Sequence, residues 1–123
     1  MFEQLNDIDC SITKFIYYYG GGFLPIGNST NRFTGAYFGN DYVLNDLYIN
    51  RDVNNVGLFG YIRNGLIERL KLVNFNIIGK SSVGGLVGRT EDGCFRYIST
   101  WTNRIRGNVA GGLIGRAVDN SIV

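Results

Sequence analysis

The residues best suited to chemistry in this sequence are carboxylates concentrated in its N-terminal half. Brought together on one face, such residues could bind calcium or a sugar, or form the paired acid and base of a glycosidase. Histidine, the commonest general base and metal ligand, is absent. We therefore interpret the carboxylates as solvated turn residues and expect no catalytic residue, no metal site and no cofactor. They are Asp7, Asp9, Asp41, Asp46 and Asp52.

Aromatic side chains are the second set of candidates, because rings bury a large area at low entropic cost when they contact a sugar or a protein partner. Tyr17, Tyr18 and Tyr19 are consecutive, and they could form such a contact or pack as a cap on the core. Trp101 is the single tryptophan. Side chains alternate between the two sides of a strand, and this alternation places Trp101 on the side opposite to Ile98. We therefore expect Trp101 to be exposed and available for contact.

Two glycine-rich stretches, 20–22 and 83–88, could suggest phosphate-binding loops. Both lack the Lys-Ser/Thr ending and the following helix that a phosphate-binding loop needs. We interpret their glycines as corners between strands. The frequent Gly and Asn residues also argue against helices.

Composition limits the class of protein and its partners. The chain has 123 residues, enough for one domain, and it combines 18 glycines with one proline, as expected of short strands joined by tight corners. Its formal charge is +2 and its Lys and Arg residues are scattered along the sequence, which gives no support for a nucleic-acid partner. No apolar run approaches the roughly 20 residues that span a bilayer, and the first residues do not resemble a secretory signal. Cys10 and Cys94 are expected to be independent core residues, with a bond between them left open.

The strongest pattern is a glycine-bracketed phrase that occurs three times, with its leucines at the nearly equal intervals of Leu58, Leu86 and Leu113. Recurrence at this interval predicts a solenoid, in which each copy stacks on the next because no copy can bury its apolar face alone. The copies are Gly57-Leu58-Phe59-Gly60, Gly85-Leu86-Val87-Gly88 and Gly112-Leu113-Ile114-Gly115.

A tight turn follows each phrase at an equivalent position. The turn residues are Asn64-Gly65, Asp92-Gly93 and Asp119-Asn120. Such pairs are typical of turns whose second residue adopts a positive φ, and Asn tolerates that geometry best among the residues other than glycine. We therefore predict positive φ at Gly65, Gly93 and Asn120.

The residues after each turn predict strands and their register. Ile67-x-x-Leu70-x-Leu72 aligns with Phe95-x-x-Ile98-x-Thr100, and a more diverged copy, Leu44-x-x-Leu47-x-Ile49, precedes them in the same alignment. This alignment predicts an interior column of Leu47, Leu70 and Ile98, with Ile49, Leu72 and Thr100 beside it.

The same register makes further predictions about polar residues. Asn103 falls beneath Phe75, so either its side chain bonds to backbone or the register slips there. Opposite charges would face each other between neighbouring strands at Asp46 with Arg69 and at Glu68 with Arg96. Arg89 would face Arg116, a mildly unfavourable pair of like charges.

These residues resemble the GLUG-motif family, which takes its name from the Gly-Leu-x-Gly phrase. The segments 83–89 and 110–116 match the motif closely, and Leu5-Asn6-Asp7-Ile8-Asp9, Pro25-Ile26-Gly27 and Phe33-Thr34-Gly35 resemble the segment that commonly precedes such repeats. The usual Asp-Gly pair is here Phe38-Gly39-Asn40-Asp41, which suggests an altered turn. The resemblance implies a right-handed parallel β-helix without enzymatic activity, found in large surface or extracellular proteins such as adhesin-like proteins and the non-catalytic regions of some immunoglobulin A1 proteases.

We therefore expect an all-β chain, a right-handed parallel β-helix of about four coils with open ends, covered by flanking repeats or neighbouring subunits that stack end to end. The expected units are 1–34 as a diverged first coil or cap, 35–56, 57–84 and 85–111 as coils, and 112–123 as a partial coil. The expected function is that of a stiff, non-catalytic structural or adhesion module, extracellular or surface-associated, without nucleic-acid binding or membrane insertion. The alternatives are a carbohydrate-binding or carbohydrate-active domain, and a self-stacking filament or shell subunit. Glycans and host surface proteins are further possible partners.

Overall fold

The computed structural model describes residues 1–15 and 21–118, which form an all-β structure with parallel sheets and one short 3-10 helix, Ser11–Phe15. The strands of the largest sheet are β1 (Phe2–Glu3), β2 (Ile8–Asp9), β3 (Ala36–Phe38), β4 (Val43–Asn45), β8 (Leu66–Val73) and β12 (Cys94–Trp101). Their order is β1-β3-β8-β4-β2, with β12 also paired to β8.

Three smaller sheets have three strands each, and all of their strand pairs are parallel. The first contains β5 (Tyr48–Asn50), β9 (Asn76–Ile78) and β13 (Arg104–Arg106); the second contains β6 (Asn54–Val56), β10 (Ser81–Gly84) and β14 (Ala110–Gly111); the third contains β7 (Phe59–Arg63), β11 (Val87–Glu91) and β15 (Ile114–Val118).

Residues paired in the smaller sheets, and those paired between β8 and β12, are separated by the interval of the sequence repeat. Leu70 lies opposite Ile98, and Leu72 lies opposite Thr100, as the alignment of β8 with β12 predicted. The predicted interior position of Thr100 is wrong, because Thr100 is exposed on β12, which pairs with β8 alone among the described strands. The Gly-Leu-x-Gly phrases also lie side by side, because the backbone N–H of Leu58 donates to the carbonyl of Gly85 and that of Leu86 donates to the carbonyl of Leu113. The repeat in the sequence is therefore a repeat of parallel pairing.

Corners within the chain carry residues in the left-handed backbone region, and these corners recur with the repeat. Ile67 and Leu70 are both fully buried, and between them Arg69 has a φ of 56°. Leu72 and Phe75 are also buried, and Asn74 between them has a φ of 57°. Each such residue turns the chain so that the next buried side chain comes three positions later instead of two. The recurring sets are Asp41, Arg69 and Tyr97; Asp46, Asn74 and Thr102; Asn64 and Asp92; Asn55 and Ser82.

This corner geometry explains why the predicted register of the Leu44 segment is wrong. Leu44 pairs with Leu72 and Ile49 with Ile77, so the segment lies against the end of β8 and against β9, and not against the residues that begin at Ile67. Leu47 therefore does not share a column with Leu70. Buried residues follow the spacing i, i+3, i+5 at the left-handed corners, so the same pattern occurs more than once in each repeat. For this reason the Leu44 segment was aligned with the wrong part of the next repeat.

Two consequences of that alignment are also corrected. Asp46 does not face Arg69; its Oδ1 accepts a hydrogen bond of 2.6 Å from Nδ2 of Asn74. Arg69 instead lies 3.7 Å from the carboxylate of Asp41. The predicted pairing of Glu68 with Arg96 and that of Arg89 with Arg116 are confirmed as register partners.

The prediction of positive φ at Gly65 and Gly93 is wrong. The left-handed residues are their predecessors, Asn64 with a φ of 54° and Asp92 with a φ of 52°. Glycine is required at the next position for lack of space, since a Cβ on Gly93 would overlap Oγ1 of Thr90 and one on Gly65 would lie 2.7 Å from Cγ2 of Ile62. Asn120 lies outside the described residues.

The second glycine of each phrase is required by close backbone approach. A Cβ on Gly88 would lie 2.5 Å from the backbone N of Val56, and one on Gly115 would lie 2.5 Å from the backbone N of Val83. Since Val56 and Val83 are register partners, the contact repeats with the phrase. Each sheet is thereby held tightly against its neighbour around one apolar core, which includes Leu58, Phe59, Leu70, Phe75, Ile77, Leu86 and Val87.

Candidate functional site

Four of the five carboxylates that the sequence singled out are held by separate contacts, and the fifth, Asp52, is exposed. The carboxylate of Asp7 accepts a hydrogen bond from the backbone N–H of Val43, and that of Asp9 accepts one from the backbone N–H of Ser11, each at 2.9 Å. Asp41 and Asp46 have the partners described above. Within residues 1–15 and 21–118, no group of three or more Cys, Asp or Glu side chains is arranged to hold a metal ion.

A polar groove of about 430 Å³ lies at the corner that joins β4 to β5, β8 to β9 and β12 to β13. Its polar lining consists of side chains with both donors and acceptors, and Leu47 and Phe75, each 1% exposed, lie beneath it. The polar lining residues are Lys14, Asp46, Asn74, Asn76, Thr102, Asn103 and Arg104.

The left-handed corner residues build this groove. Asp46, Asn74 and Thr102 occupy equivalent positions on three successive corners, and the chain bends sharply at each of them. The hydrogen bond from Asn74 Nδ2 to Asp46 Oδ1 joins two of the corners. Among the described lining residues Asp46 is the one carboxylate, whereas hydrolysis of a glycosidic bond by an acid and base pair would need two. The groove is therefore suited to hydrogen bonding with a polar ligand.

Trp101 is 51% exposed, as the sequence predicted, and it immediately precedes Thr102 of the groove. Its partner on β8 is Val73. A second exposed ring, Tyr97, lies on the same strand beneath the guanidinium of Arg69, whose Cζ is 4.7 Å from the ring centroid. Tyr17, Tyr18 and Tyr19 lie outside the described residues.

This groove was not predicted from the sequence, because the Leu44 segment was aligned with the wrong part of the next repeat. The signal was nevertheless present: Asp46, Asn74 and Thr102 are equally spaced in the sequence, at the interval that separates Leu58 from Leu86. Asp and Asn are also the non-glycine residues that most readily adopt a positive φ.

The two cysteines are free and half-buried. Burial is the main cause that raises the pKa of the Cys10 thiol, and the negative charges of Asp9 and Asp46 add to it. Cys10 is therefore kept in its protonated, less reactive form. Among the described residues, no helix has the length and apolar character needed to cross a membrane.

The chain is similar to parts of two much longer proteins. It is 37% identical over 126 residues to Halomucin of Haloquadratum walsbyi, a match that spans 99% of this chain and 1% of Halomucin. It is 40% identical over 92 residues to a protein of Evansella cellulosilytica described as a Gly-rich membrane protein, a match that spans 71% of this chain and 10% of that protein. No family model matches the chain. No solved structure matches it.

Proposed function

We propose that this chain is a right-handed parallel β-helix of GLUG-type repeats that acts as a stiff, non-catalytic structural module of a surface or extracellular protein. The observation that carries the proposal is the register: partners in the three smaller sheets, and those that pair β8 with β4 and with β12, recur at the interval of the Gly-Leu-x-Gly phrase, as Leu70 with Ile98 and Val87 with Ile114. Parallel strands joined by crossovers are almost always right-handed, which supports the handedness.

Stiffness follows from the way such repeats are joined. Each strand uses its backbone donors and acceptors on the strands of neighbouring repeats, and the buried leucines and isoleucines fill the interior between the sheets. Bending the stack would separate backbone hydrogen bonds and open apolar contacts together. A module of this kind keeps a fixed length and displays its corners at fixed positions.

The names of the relatives support the location. One contains the word mucin and the other is described as a membrane protein, and both names favour a surface-associated location. Protease treatment of intact native cells, followed by detection with an antibody against this chain, tests the location. The chain should be degraded on intact cells; its protection until the cells are lysed would contradict a surface role.

Crosslinking tests the register on which the module depends. In a variant with both native cysteines replaced by serine, Glu68→Cys with Arg96→Cys should form a disulfide on mild oxidation, because the two residues are partners on β8 and β12. The matched control is Glu68→Cys with Arg106→Cys, which joins strands of different sheets. Equal crosslinking of both pairs would overturn the β-helix register.

The partners proposed for the module are flanking repeats or neighbouring subunits that stack end to end. Charge supports this arrangement, because residues 1–56 contain six acidic and three basic residues, a net charge of −3, and residues 57–123 contain four acidic and nine basic, a net charge of +5. Opposite charge at the two ends favours head-to-tail association. Light scattering at rising protein concentration should show growth at low salt that weakens at high salt; a monomer at every concentration would contradict it.

A second candidate function is carbohydrate binding at the corner groove. The observation that favours it is the combination of donors and acceptors from Asn74, Asn76 and Arg104 with Trp101, an exposed residue that directly precedes Thr102 of the groove. Glycan-array binding tests it, with quenching of the single tryptophan as the local signal. Trp101→Ala should abolish binding and Tyr97→Ala should preserve it. Loss of binding in both variants, or no binding by the unmodified chain, would exclude the groove as the site.

A further inference from the structure

One face of the third small sheet gathers arginines that are far apart in the sequence. Tyr61, Arg89 and Arg116 are register partners on β7, β11 and β15, and each directly follows the second glycine of its phrase. Arg63 lies two residues after Tyr61 on β7, and Arg32 approaches from the segment that precedes β3. We call the four basic residues, Arg32, Arg63, Arg89 and Arg116, the arginine face.

The ring of Tyr61 holds two of these guanidinium groups in place. Tyr61 is 4% exposed, and the Cζ atoms of Arg32 and Arg89 lie 4.9 Å and 5.2 Å from its ring centroid. A cation positioned over a ring is attracted to it, and a guanidinium held this way can still present N–H groups to a carboxylate or sulfate. The two side chains are therefore ordered before any ligand binds, which lowers the entropic cost of binding.

The carboxylate of Glu91 lies within this cluster. Glu91 accepts a hydrogen bond from the hydroxyl of Tyr61, and its carboxylate lies 3.4 Å from Nη2 of Arg89 and 3.8 Å from Nε of Arg63. The Tyr61 hydroxyl is the main cause that lowers the pKa of Glu91, so the carboxylate stays ionised. The carboxylate of Glu91 thus faces the positive charges of Arg32, Arg63 and Arg89, and the buried Nε of Arg89 has no hydrogen-bond partner.

The arrangement is unfavourable for stability alone. Arg89 and Arg116 lie directly opposite each other, and like charges at such positions destabilise a sheet. An anion placed between them would reduce the repulsion and accept charge-assisted hydrogen bonds from their exposed guanidinium N–H groups. The like charges that destabilise the chain on its own are thus well suited to binding an anion.

We propose that the arginine face binds a linear acidic polysaccharide through its carboxylate or sulfate groups. A protein partner is less favoured because none of the exposed large apolar side chains of the described residues lies on β7, β11 or β15, whereas protein interfaces have an apolar centre. Nucleic acid is less favoured because the ring of Tyr61 is covered and cannot stack on bases. The proposal stands independently of the corner groove and of the β-helix role.

Calorimetric titration with defined polymers tests the proposal. The probes are polygalacturonate, which carries carboxylates, dextran sulfate, which carries sulfates, neutral dextran and single-stranded DNA. At least one acidic polysaccharide should bind, more weakly as salt rises, and the better of the two identifies the preferred group. Absence of binding to both acidic polysaccharides, equal binding of neutral dextran, or DNA binding at least as tight would each overturn the proposal.

Matched variants locate the site. The double variant Arg89→Gln with Arg116→Gln should bind about tenfold more weakly or worse, because two charge-assisted contacts are removed. Arg96→Gln with Arg106→Gln removes the same charge from exposed positions on β12 and β13 and should change the affinity less than about twofold. Equal loss in both would show that only net charge matters and would overturn the site. Where the first double variant does not fold, Arg116→Gln alone, at an exposed position, takes its place.

Discussion

The side-chain oxygen of Asn103 accepts a hydrogen bond of 2.8 Å from the backbone N–H of Phe75, in the preceding repeat. Asn103 thus occupies the position that Phe75 and Leu47 fill with buried apolar side chains in the neighbouring repeats, as the backbone bonds between these corners show. Of the two outcomes that the sequence left open, bonding to backbone is confirmed and a slipped register is wrong. The asparagine oxygen satisfies the Phe75 donor, whereas the buried Nδ2 of Asn103 has no hydrogen-bond partner among the described residues.

Replacing Asn103 tests that role. Asn103→Ala should lower the free energy of unfolding by about 1–3 kcal/mol, because the N–H of Phe75 loses its acceptor. Chemical denaturation measures the change. Asn108→Ala, at an exposed position in the same repeat, is the control and should change stability by less than about 0.5 kcal/mol. Equal effects of the two substitutions would show that the hydrogen bond contributes nothing.

The leucines of the three phrases offer a graded test of burial. Leu86 is 0% exposed and Leu58 is 6% exposed, whereas Leu113 in the last phrase is only half-buried. Leu86→Ala should cost about 2–5 kcal/mol, Leu58→Ala a similar or smaller amount, and Leu113→Ala clearly less, since the cost follows the apolar contacts removed. Thermal and urea unfolding of the three variants measure the order. A larger loss at Leu113 than at Leu86 would contradict the described core.

Two glycines with opposite surroundings test the steric argument. Gly93→Ala should destabilise the protein by about 1–3 kcal/mol, because the new Cβ would overlap Thr90 Oγ1 and meet the ring of Phe95 at 3.0 Å. Gly112→Ala is the matched control, since nothing lies within 4 Å of a Cβ at that position. Its melting temperature should stay close to that of the unmodified chain. A harmless Gly93→Ala would mean that this corner is more open than the structure describes.

The pH dependence of stability should report the Tyr61–Glu91 contact. The hydrogen bond from Tyr61 lowers the pKa of Glu91 below its ordinary value of 4.5, and the charges of Arg89, Arg32 and Arg63 act in the same direction while burial opposes them. A carboxyl whose pKa is lower in the folded state stabilises that state above the unfolded pKa. This contribution is therefore present at neutral pH and is lost as the pH falls from about 4.5 through the folded pKa.

Melting temperatures measured from neutral to acidic pH give the comparison. Glu91→Gln should be less stable than the unmodified chain at neutral pH and should lose less stability on acidification. Asp9, whose pKa is lowered by hydrogen bonds from Ser11, contributes to the loss of stability in acid both in the unmodified chain and in Glu91→Gln. Asn108→Ala removes no titratable group and is the control, so its acid dependence should match that of the unmodified chain. Parallel curves for the unmodified chain and Glu91→Gln would contradict the contact.

Strand pairing could be predicted from the sequence only where a segment carries residues that identify its place in the repeat. The pairing of β8 with β12 was predicted correctly, because the phrase and the Asn-Gly or Asp-Gly turn before each strand mark the copies without ambiguity. The Leu44 segment has no such mark, and its spacing of apolar residues occurs at every corner, so it was misaligned. The division into coils, the GLUG relationship and the absence of catalysis stay predictions.

The candidate sites were less predictable than the fold. Trp101 was predicted to be exposed because it lies on the side of its strand opposite to Ile98, and its exposure is confirmed. The corner groove and the arginine face were not predicted, because each is built from residues on three different repeats. Arg32, Arg63, Arg89 and Arg116 appear scattered in the sequence, and only parallel pairing places them on one face.

By itself the sequence determined the strand class and the repeat interval, since glycine placement and apolar spacing depend on backbone conformation and on burial, which are local properties. Tertiary structure alone decided which left-handed corner aligns with which, that Gly93 is needed for space and not for its φ, and that distant arginines share a face. The physical reason is that these features depend on contacts between repeats, and such contacts exist only once neighbouring strands have paired.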